Sequence, residues 1–317
     1  MKANDIYCDL GFWDNLCSRY RDFKDSDIFS DENKKCDHIK NWLWLMLKSE
    51  SHFDCSLSDF KNNVTNNDMS FRLWKRSCDG KCKLDFSAGI INKMKSGSSL
   101  QMDFNMYNSF FLTENNYETS AKNVGVINVC NEKVLVYNPF VSQIESVQLN
   151  ENNNWRKILN NIRHNNNSMV IIDNYIFKDV NENLYEILDV LLPDKMGTTY
   201  YLSIFTLGPG LEKRKGSLEA KVKEIRPNLN VCIEMFESKQ DVFHDREIIT
   251  NYVHVTAGAG FDNFKRNQEA KHMTTIDMSY PYLSNENGRK NKIENTISLC
   301  KKYLKTINVF SKNRILR

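Results

Sequence analysis

In the second half of the chain the spacing of apolar positions alternates between a strand-like and a helix-like period. Met169-Val-Ile-Ile-Asp173 is a short apolar run, the length of a buried strand. Leu184, Ile187, Leu188 and Leu191 follow at i, i+3, i+4 and i+7, which predicts one face of a helix closed by Pro193. Tyr200 to Phe205 predicts the next strand, and Gly208-Pro-Gly210 a turn. Leu211, Leu218, Val222 and Ile225 predict a second helix ended by Pro227, and Val231 to Phe236 a third strand. Two more strands are expected over 244–249 and 252–257. Ile293, Ile297, Cys300 and Leu304 predict a terminal amphipathic helix with a basic outer face. This order predicts an α/β sandwich whose mixed sheet is mainly parallel and is extended by hairpin strands.

The first half alternates less regularly. Ile6 to Leu10 predicts a strand that ends in an acid, Asp9. The Trp- and Leu-rich run 40–48 predicts a helix. Strands are expected over 109–113, 124–129 and 133–137, with a helix over 118–122. Trp155, Ile158, Leu159 and Ile162 make a short helical stripe between two asparagine clusters, 151–154 and 165–167. Two α/β domains follow, 1–150 and 151–285, with a basic helix and tail over 286–317.

Composition fits this picture. The chain has 317 residues, enough for two ordinary domains, and 41% hydrophobic content supports packed cores. The net charge of +3 selects no partner. Basic residues instead cluster locally, in 289–317 and in Phe71-Arg-Leu-Trp-Lys-Arg76 followed by Lys81 and Lys83. The second run makes Arg72, Lys75 and Arg76 candidate contacts to a nucleic-acid backbone, with Phe71 and Trp74 interleaved. A helix with a snorkelling basic face accounts for it equally well. No apolar stretch approaches the ~18–20 residues that span a bilayer, and no basic-then-apolar leader opens the chain. Nine scattered cysteines argue against a disulfide framework, so a reduced, cytoplasmic protein is expected. Cys78 and Cys82 lack a second Cys/His pair at zinc spacing, and a turn at Asp79-Gly80 explains them.

The segment Val242 to Phe261 carries the densest candidate chemistry. His244, Arg246, Asn251 and Gly258 stand at fixed intervals: one residue, then four, then six. That pattern resembles the phospholipase D superfamily signature, His-x-Lys, four residues, Asp, six residues, then Gly-Ser or Gly-Gly. In such sites one His attacks phosphorus while a second protonates the leaving oxygen, and the Lys and the small-residue turn hold phosphate oxygens. Here Arg246 stands for the Lys, Asn251 for the Asp, and Gly258-Ala259 for Gly-Ser. Arginine still grips phosphate bidentately, but Asn251 carries no charge. The chain holds one copy, so a symmetric site requires a homodimer.

Phe243-His-Asp-Arg-Glu-Ile248 with Gly258-Ala-Gly-Phe-Asp-Asn-Phe-Lys265, Val170-Ile-Ile-Asp-Asn-Tyr-Ile176 upstream and Thr274-Thr-Ile-Asp277 downstream resembles more closely the phospholipase-D-like C-terminal domain of MIT-domain-containing proteins. The similarity covers roughly residues 168 to 283. It implies a dimeric, non-catalytic module that binds acidic membrane lipid, without carrying over that family's usual partner interaction. It also resembles a module of bacterial conflict and defence proteins. Alternatively, the His-Asp-Arg set merely braces a hairpin.

Asp9 at the end of the first strand, Thr113-Glu-Asn115 after a later one, and Gly125-Val-Ile-Asn128 on the next resemble a PIN-like nuclease domain. There, acids at sheet C-termini bind Mg²⁺ or Mn²⁺, which activates water. The resemblance makes Asp9, Asp14, Glu114 and Glu118 the candidate metal ligands and Asp9 catalytic; Asp54 and Asp59 are candidates for the intervening acid. Solvated acids at loop ends are the simpler account. Three functions therefore stand open. One is a defence-type nuclease with a phosphate- or partner-binding second domain. Another is a non-enzymatic adaptor. The third is a metal-independent phosphodiesterase using His244 and Arg246 across a homodimer.

Overall fold

The computed structural model describes residues 5–20, 46, 49–95, 109–130, 144–148, 154–160, 162–177, 182–208, 210–238, 242–243, 245–258, 260–261, 274–279 and 287–317. The chain is α/β throughout and divides into two compact units, 1–141 with 282–284, and 142–281 with 285–317. The expected strand at 133–137 and nearly all of the helix expected over 40–48 lie outside the described residues.

The first unit runs β1 (Asp5–Cys8), α1 (Leu10–Tyr20), β2 (Glu50–Phe53), α2 (Leu57–Asn66), α3 (Asp68–Cys78), β3 (Lys83–Phe86), α4 (Ile90–Lys95), β4 (Phe110–Thr113), α5 (Glu118–Val124) and β5 (Ile127–Cys130). Its sheet has the order β3-β2-β1-β4-β5, with every pairing parallel. Parallel strands need crossovers, and the helices supply them. The chain begins in the middle of the sheet, builds outward through β2 and β3, then returns to the other side of β1 with β4. The reversal lies between β1 and β4, and open α/β sheets bind ligands outside the carboxyl ends of the strands at such a point.

One face of this sheet packs on an aromatic cluster. Phe53 meets Trp13 of α1 at 5.9 Å and Phe60 of α2 at 4.7 Å between ring centroids, and Phe60 meets Phe86 at 4.9 Å. Phe53 and Phe60 are fully buried, so truncating either to Ala should cost ~3–5 kcal/mol. Tyr7, Phe111, Ile90, Ile91, Ala121, Val124 and Val126 form a core cluster on the other face. α2 starts with a capping box, in which Ser56 and Asp59 each bond the other's backbone amide. α5 stops at Gly125, which holds φ +69 and frees the next residues for β5. The strand predicted from 124 therefore begins at Ile127.

The second unit runs β6 (Ile144–Gln148), α6 (Trp155–Asn160), β7 (Ser168–Ile172), α7 (Glu182–Leu191), β8 (Tyr200–Thr206), α8 (Leu211–Ile225), β9 (Val231–Glu237), β10 (Glu247–Thr250), β11 (His254–Ala257), β12 (Thr275–Ser279) and α9 (Asn287–Thr306). Its sheet has the order β6-β12-β11-β10-β7-β8-β9. The sheet is mixed, but not mainly parallel as the alternation of helix and strand predicts. Among the described residues two pairings are parallel and four antiparallel. The alternation spans β7 to β9 only. The three-residue link from β10 to β11 is too short for a crossover, which forces a hairpin. β6, which pairs antiparallel with β12, gives no clear apolar period in the sequence. The apolar stripe of α9 is buried as predicted, at Ile293, Ile297, Cys300 and Leu304. Tyr303 of α9 stands 5.4 Å from Phe243 and 6.5 Å from Phe205 between ring centroids. The tail returns over the sheet, where buried Asn313 donates to the Met169 carbonyl at 2.8 Å.

Candidate functional site

Three acids stand at the carboxyl ends of three neighbouring strands of the first unit: Asp54 after β2, Asp9 after β1 and Glu114 after β4. Asp9 caps α1, its Oδ1 accepting from the Phe12 amide at 2.6 Å. Its Oδ2 accepts from the Glu114 amide at 2.7 Å, which ties β1 to the turn after β4. A carboxylate has about four lone-pair directions, so each oxygen keeps acceptor capacity. Burial pushes the Asp9 carboxyl above the ordinary aspartate range. The two amides pull it back, and the charges of Glu114 and Asp54 add to the rise. Gly11 packs beside them, where a Cβ would meet the Glu114 carboxylate and make that exposed side-chain end move aside. Asp54 Oδ1 accepts from the Ile90 amide at 3.0 Å, and its own amide donates to the Cys8 carbonyl at 2.9 Å.

Asp14, one turn along α1, is held through a chain of side chains. Trp13 Nε1 donates to Ser70 Oγ at 2.8 Å, Ser70 donates to Asn63, and Asn63 Nδ2 donates to the Asp14 carboxylate. Glu118 is different: it lies 3.4 Å from Lys122 on its own helix. In the Thr113-Glu-Asn115 turn the buried Thr113 hydroxyl donates to the Asn115 carbonyl and lies 3.0 Å from Asn128 Oδ1. α3 buries Met69, Ser70 and Leu73 and turns Phe71, Arg72 and Lys75 outward, with Arg76 half-buried. The Cys78–Cys82 stretch is the expected turn, with Gly80 at φ +68.

At the opposite end of the same sheet stands a cluster the sequence reading missed. Asp5, Glu50 and His52 place one ligand atom each within 4.8 Å of one another, and no other such set of three occurs among the described residues. The acids Asp9, Asp14, Glu114 and Glu118 therefore do not close on a single point. β2 is only four residues long, too short to carry a period, and its Glu-Ser-His-Phe alternation is the sole signal for this cluster.

In the second unit the signature residues part company. His244 and Ala259 lie outside the described residues. Arg246 precedes β10 and places its guanidinium 5.8 Å over the Tyr175 ring. Ala257 donates its amide to the Arg246 carbonyl at 3.1 Å, which brings Gly258 to the same end of the hairpin. Asp173 ends β7 at that edge. Its carboxylate accepts from the Tyr175 and Phe261 amides, both at 2.8 Å, and packs on Gly260, which holds φ +93. Asn251 is at the other end of β10. It is fully buried, accepts from the Asn167 and Ser168 amides at 2.8 and 3.0 Å, and donates to Asn167 Oδ1 at 3.0 Å. Expected beside the phosphate, Asn251 is instead a strand-tip brace: its short side chain reaches the start of β7 across the antiparallel pair. Asp245 lies 3.3 Å from Lys292 of α9. His254 Nε2 and Glu247 Oε2 are 2.8 Å apart inside the sheet, and Thr296 donates to Glu247 Oε1 at 3.1 Å.

No protein-family model matches the chain, and no curated protein matches it. No described helix is long and apolar enough to cross a membrane.

Proposed function

We propose that the first unit is a metal-dependent nuclease and that the second unit binds phosphate-bearing or protein partners without catalysis. One observation carries the first part: Asp54, Asp9 and Glu114 line the carboxyl ends of β2, β1 and β4 at the point where the strand order reverses. The donor set is all oxygen, which suits a hard divalent cation such as Mg²⁺ or Mn²⁺. Asp9, Asp54 and Glu114 are the residues that would hold it in this reading, although their carboxylates do not all lie within 4.8 Å of one another in this structure. When bound, such an ion offsets charge on phosphoryl oxygens and lowers the pKa of a bound water.

The chain's own residues do the positioning. The Phe12 and Glu114 amides fix both Asp9 oxygens, so the carboxylate does not swing. Asn63 turns the Asp14 carboxylate, with Ser70 and Trp13 behind it. Ser70 is followed directly by Phe71 and Arg72, so the outward basic-aromatic face of α3 starts beside that network. Arginine and lysine there bind a nucleic-acid backbone, and Phe71 offers a stacking surface to an unpaired base.

For the second unit, Arg246 and Gly258 share one hairpin end and remain the phosphate-gripping pair of this reading. The burial of Asn251 favours binding over hydrolysis. The resemblance to modules of bacterial defence proteins supports a role for the whole chain in such a system, with homodimerisation through the second unit.

The test is cleavage of single-stranded RNA and DNA by the full chain with Mg²⁺ or Mn²⁺. The expected result is cutting that EDTA and Asp9→Ala abolish and that His244→Ala and Arg246→Ala leave intact. Cutting that survives EDTA but stops with His244→Ala overturns this assignment in favour of the second unit. No cutting with either metal leaves the adaptor function standing.

A further inference from the structure

We propose that Asp5, Glu50 and His52 form a second metal site, of the zinc class, at the amino end of the parallel sheet. The parallel register builds it. Asp5 pairs with Glu50 and Glu50 with Lys83; two residues on, Tyr7 pairs with His52 and His52 with Asp85. Side chains two apart share a face, so six side chains form two rows on one face: Asp5, Glu50 and Lys83, then Tyr7, His52 and Asp85. Three parallel strands thus deliver an imidazole and three carboxylates to one patch without any loop.

The imidazole is set as a metal ligand is usually set. Tyr7 stacks on it, with 4.7 Å between ring centroids and 14° between planes, which fixes the ring plane. Asp85 Oδ2 lies 3.3 Å from Nδ1. A carboxylate on the far ring nitrogen is the common outer partner of a metal-bound histidine, because it fixes the tautomer and leaves the other nitrogen's lone pair free. That other nitrogen, Nε2, lies 3.4 Å from Asp5 Oδ1. Two ligands each ~2.0–2.1 Å from one tetrahedral ion stand about 3.3 Å apart. The Glu50 ligand atom lies within 4.8 Å of both.

Charge supports the same conclusion. With a neutral imidazole, as ligation requires, the carboxylates of Asp5, Glu50 and Asp85 outnumber the one ammonium of Lys83 by two. Lys83 Nζ stands 3.5 Å from both Glu50 and Asp85 and cannot neutralise three carboxylates. A divalent ion balances the patch. One nitrogen and two oxygen donors suit a borderline ion better than Mg²⁺. Three protein ligands leave a fourth position for water. The half-exposed rim at Glu50 and Asp85 gives the ion a way in. An ion here ties β1 to β2 directly, and to β3 through Asp85. It is separate from the acids at the carboxyl ends of these strands.

The test uses the full chain stripped with EDTA and then titrated with Co²⁺ and Zn²⁺. The expected result is one equivalent of Zn²⁺ that displaces Co²⁺ with visible d–d bands of a four-coordinate site. Saturating Zn²⁺ should raise the Tm of the first unit by about 5–10 °C at ~100-fold excess over Kd. His52→Ala should lose the bands, Glu50→Gln should weaken binding, and Asp85→Asn should cost ~10–100-fold in affinity. If His52→Ala misfolds by circular dichroism, Glu50→Gln and Asp85→Asn decide, since both keep the side-chain shape. Absent d–d bands overturn the proposal. So do bands unchanged in Glu50→Gln and Asp85→Asn, and so does a sulfur-to-cobalt charge-transfer band, which assigns the ion to cysteine.

Discussion

Acids and amides stand at strand ends in both units, and backbone amides engage them in both, yet they differ in exposure. In the first unit Asp9, Asp54 and Glu114 lie along a sheet edge, with Asp9 only partly buried and Glu114 exposed. In the second unit Asp173, Asn251 and the His254–Glu247 pair are nearly or wholly buried, and backbone amides or facing side chains engage them. The difference teaches how to separate working groups from framework groups of the same type. A buried polar group whose partners are all internal contributes to a fixed backbone. A half-exposed acid crowded by other acids is held against its own electrostatics, which makes it a candidate for function rather than framework.

Substitutions of the buried groups in the second unit should change stability and leave activity per folded molecule unchanged. Glu247→Ala should show the largest effect. It leaves the buried His254 imidazole and Thr296 hydroxyl without their acceptor, for a loss on the order of 3–5 kcal/mol in denaturant unfolding. Cleavage per folded molecule should not change. The Asp9→Ala loss of cleavage proposed above should exceed ~100-fold, more than an outer-shell change produces. Its unfolding midpoint should move much less than that of Glu247→Ala. Asn251→Ala ranks next. It strands the buried Asn167 and Ser168 amides, at about 1–3 kcal/mol for each unmade hydrogen bond. Should Asn251→Ala prove as stable as the parent, the brace assigned to Asn251 is wrong. Asn63→Ala should lower cleavage by ~10–100-fold, because it acts on Asp14 rather than on substrate.

Much of the fold was readable, and the unreadable parts have physical reasons. The strands β7 and β8 and helix α7 declare themselves because each buries a long apolar run or a full helical stripe, whereas β9 and α8 show the same periods but bury only Ile233 and Phe236, and Leu218 and Val222. Asp9 was legible as an acid closing a strand, and Glu114 as part of a turn. β2 and β3 were not, since each is four residues long and exposes polar side chains on one face. The Asp5–Glu50–His52 cluster depends on their pairing, and strand register is not written in local composition. The Asn251 reversal has a similar origin. The spacing of His244, Arg246 and Asn251 is linear, but a strand of four residues between Arg246 and Asn251 puts the last two at opposite ends of β10.

His164 gives the smallest effect and the finest division between the units. Burial holds its pKa down, from an ordinary 6.5 to about 4. The folded chain therefore binds this proton less readily than the unfolded chain does. Its stabilising contribution is complete above pH 6.5 and is lost as pH falls from there toward about 4. His164→Asn removes the titration, so the second unit's unfolding midpoint should fall less steeply over that window in the variant than in the parent. His164 belongs to the second unit, so the first unit's own midpoint should follow the same pH curve in both proteins. Equal slopes for the second unit in parent and variant would show that His164 is as solvated folded as unfolded. A change confined to the first unit would break the division of roles on which the comparison rests.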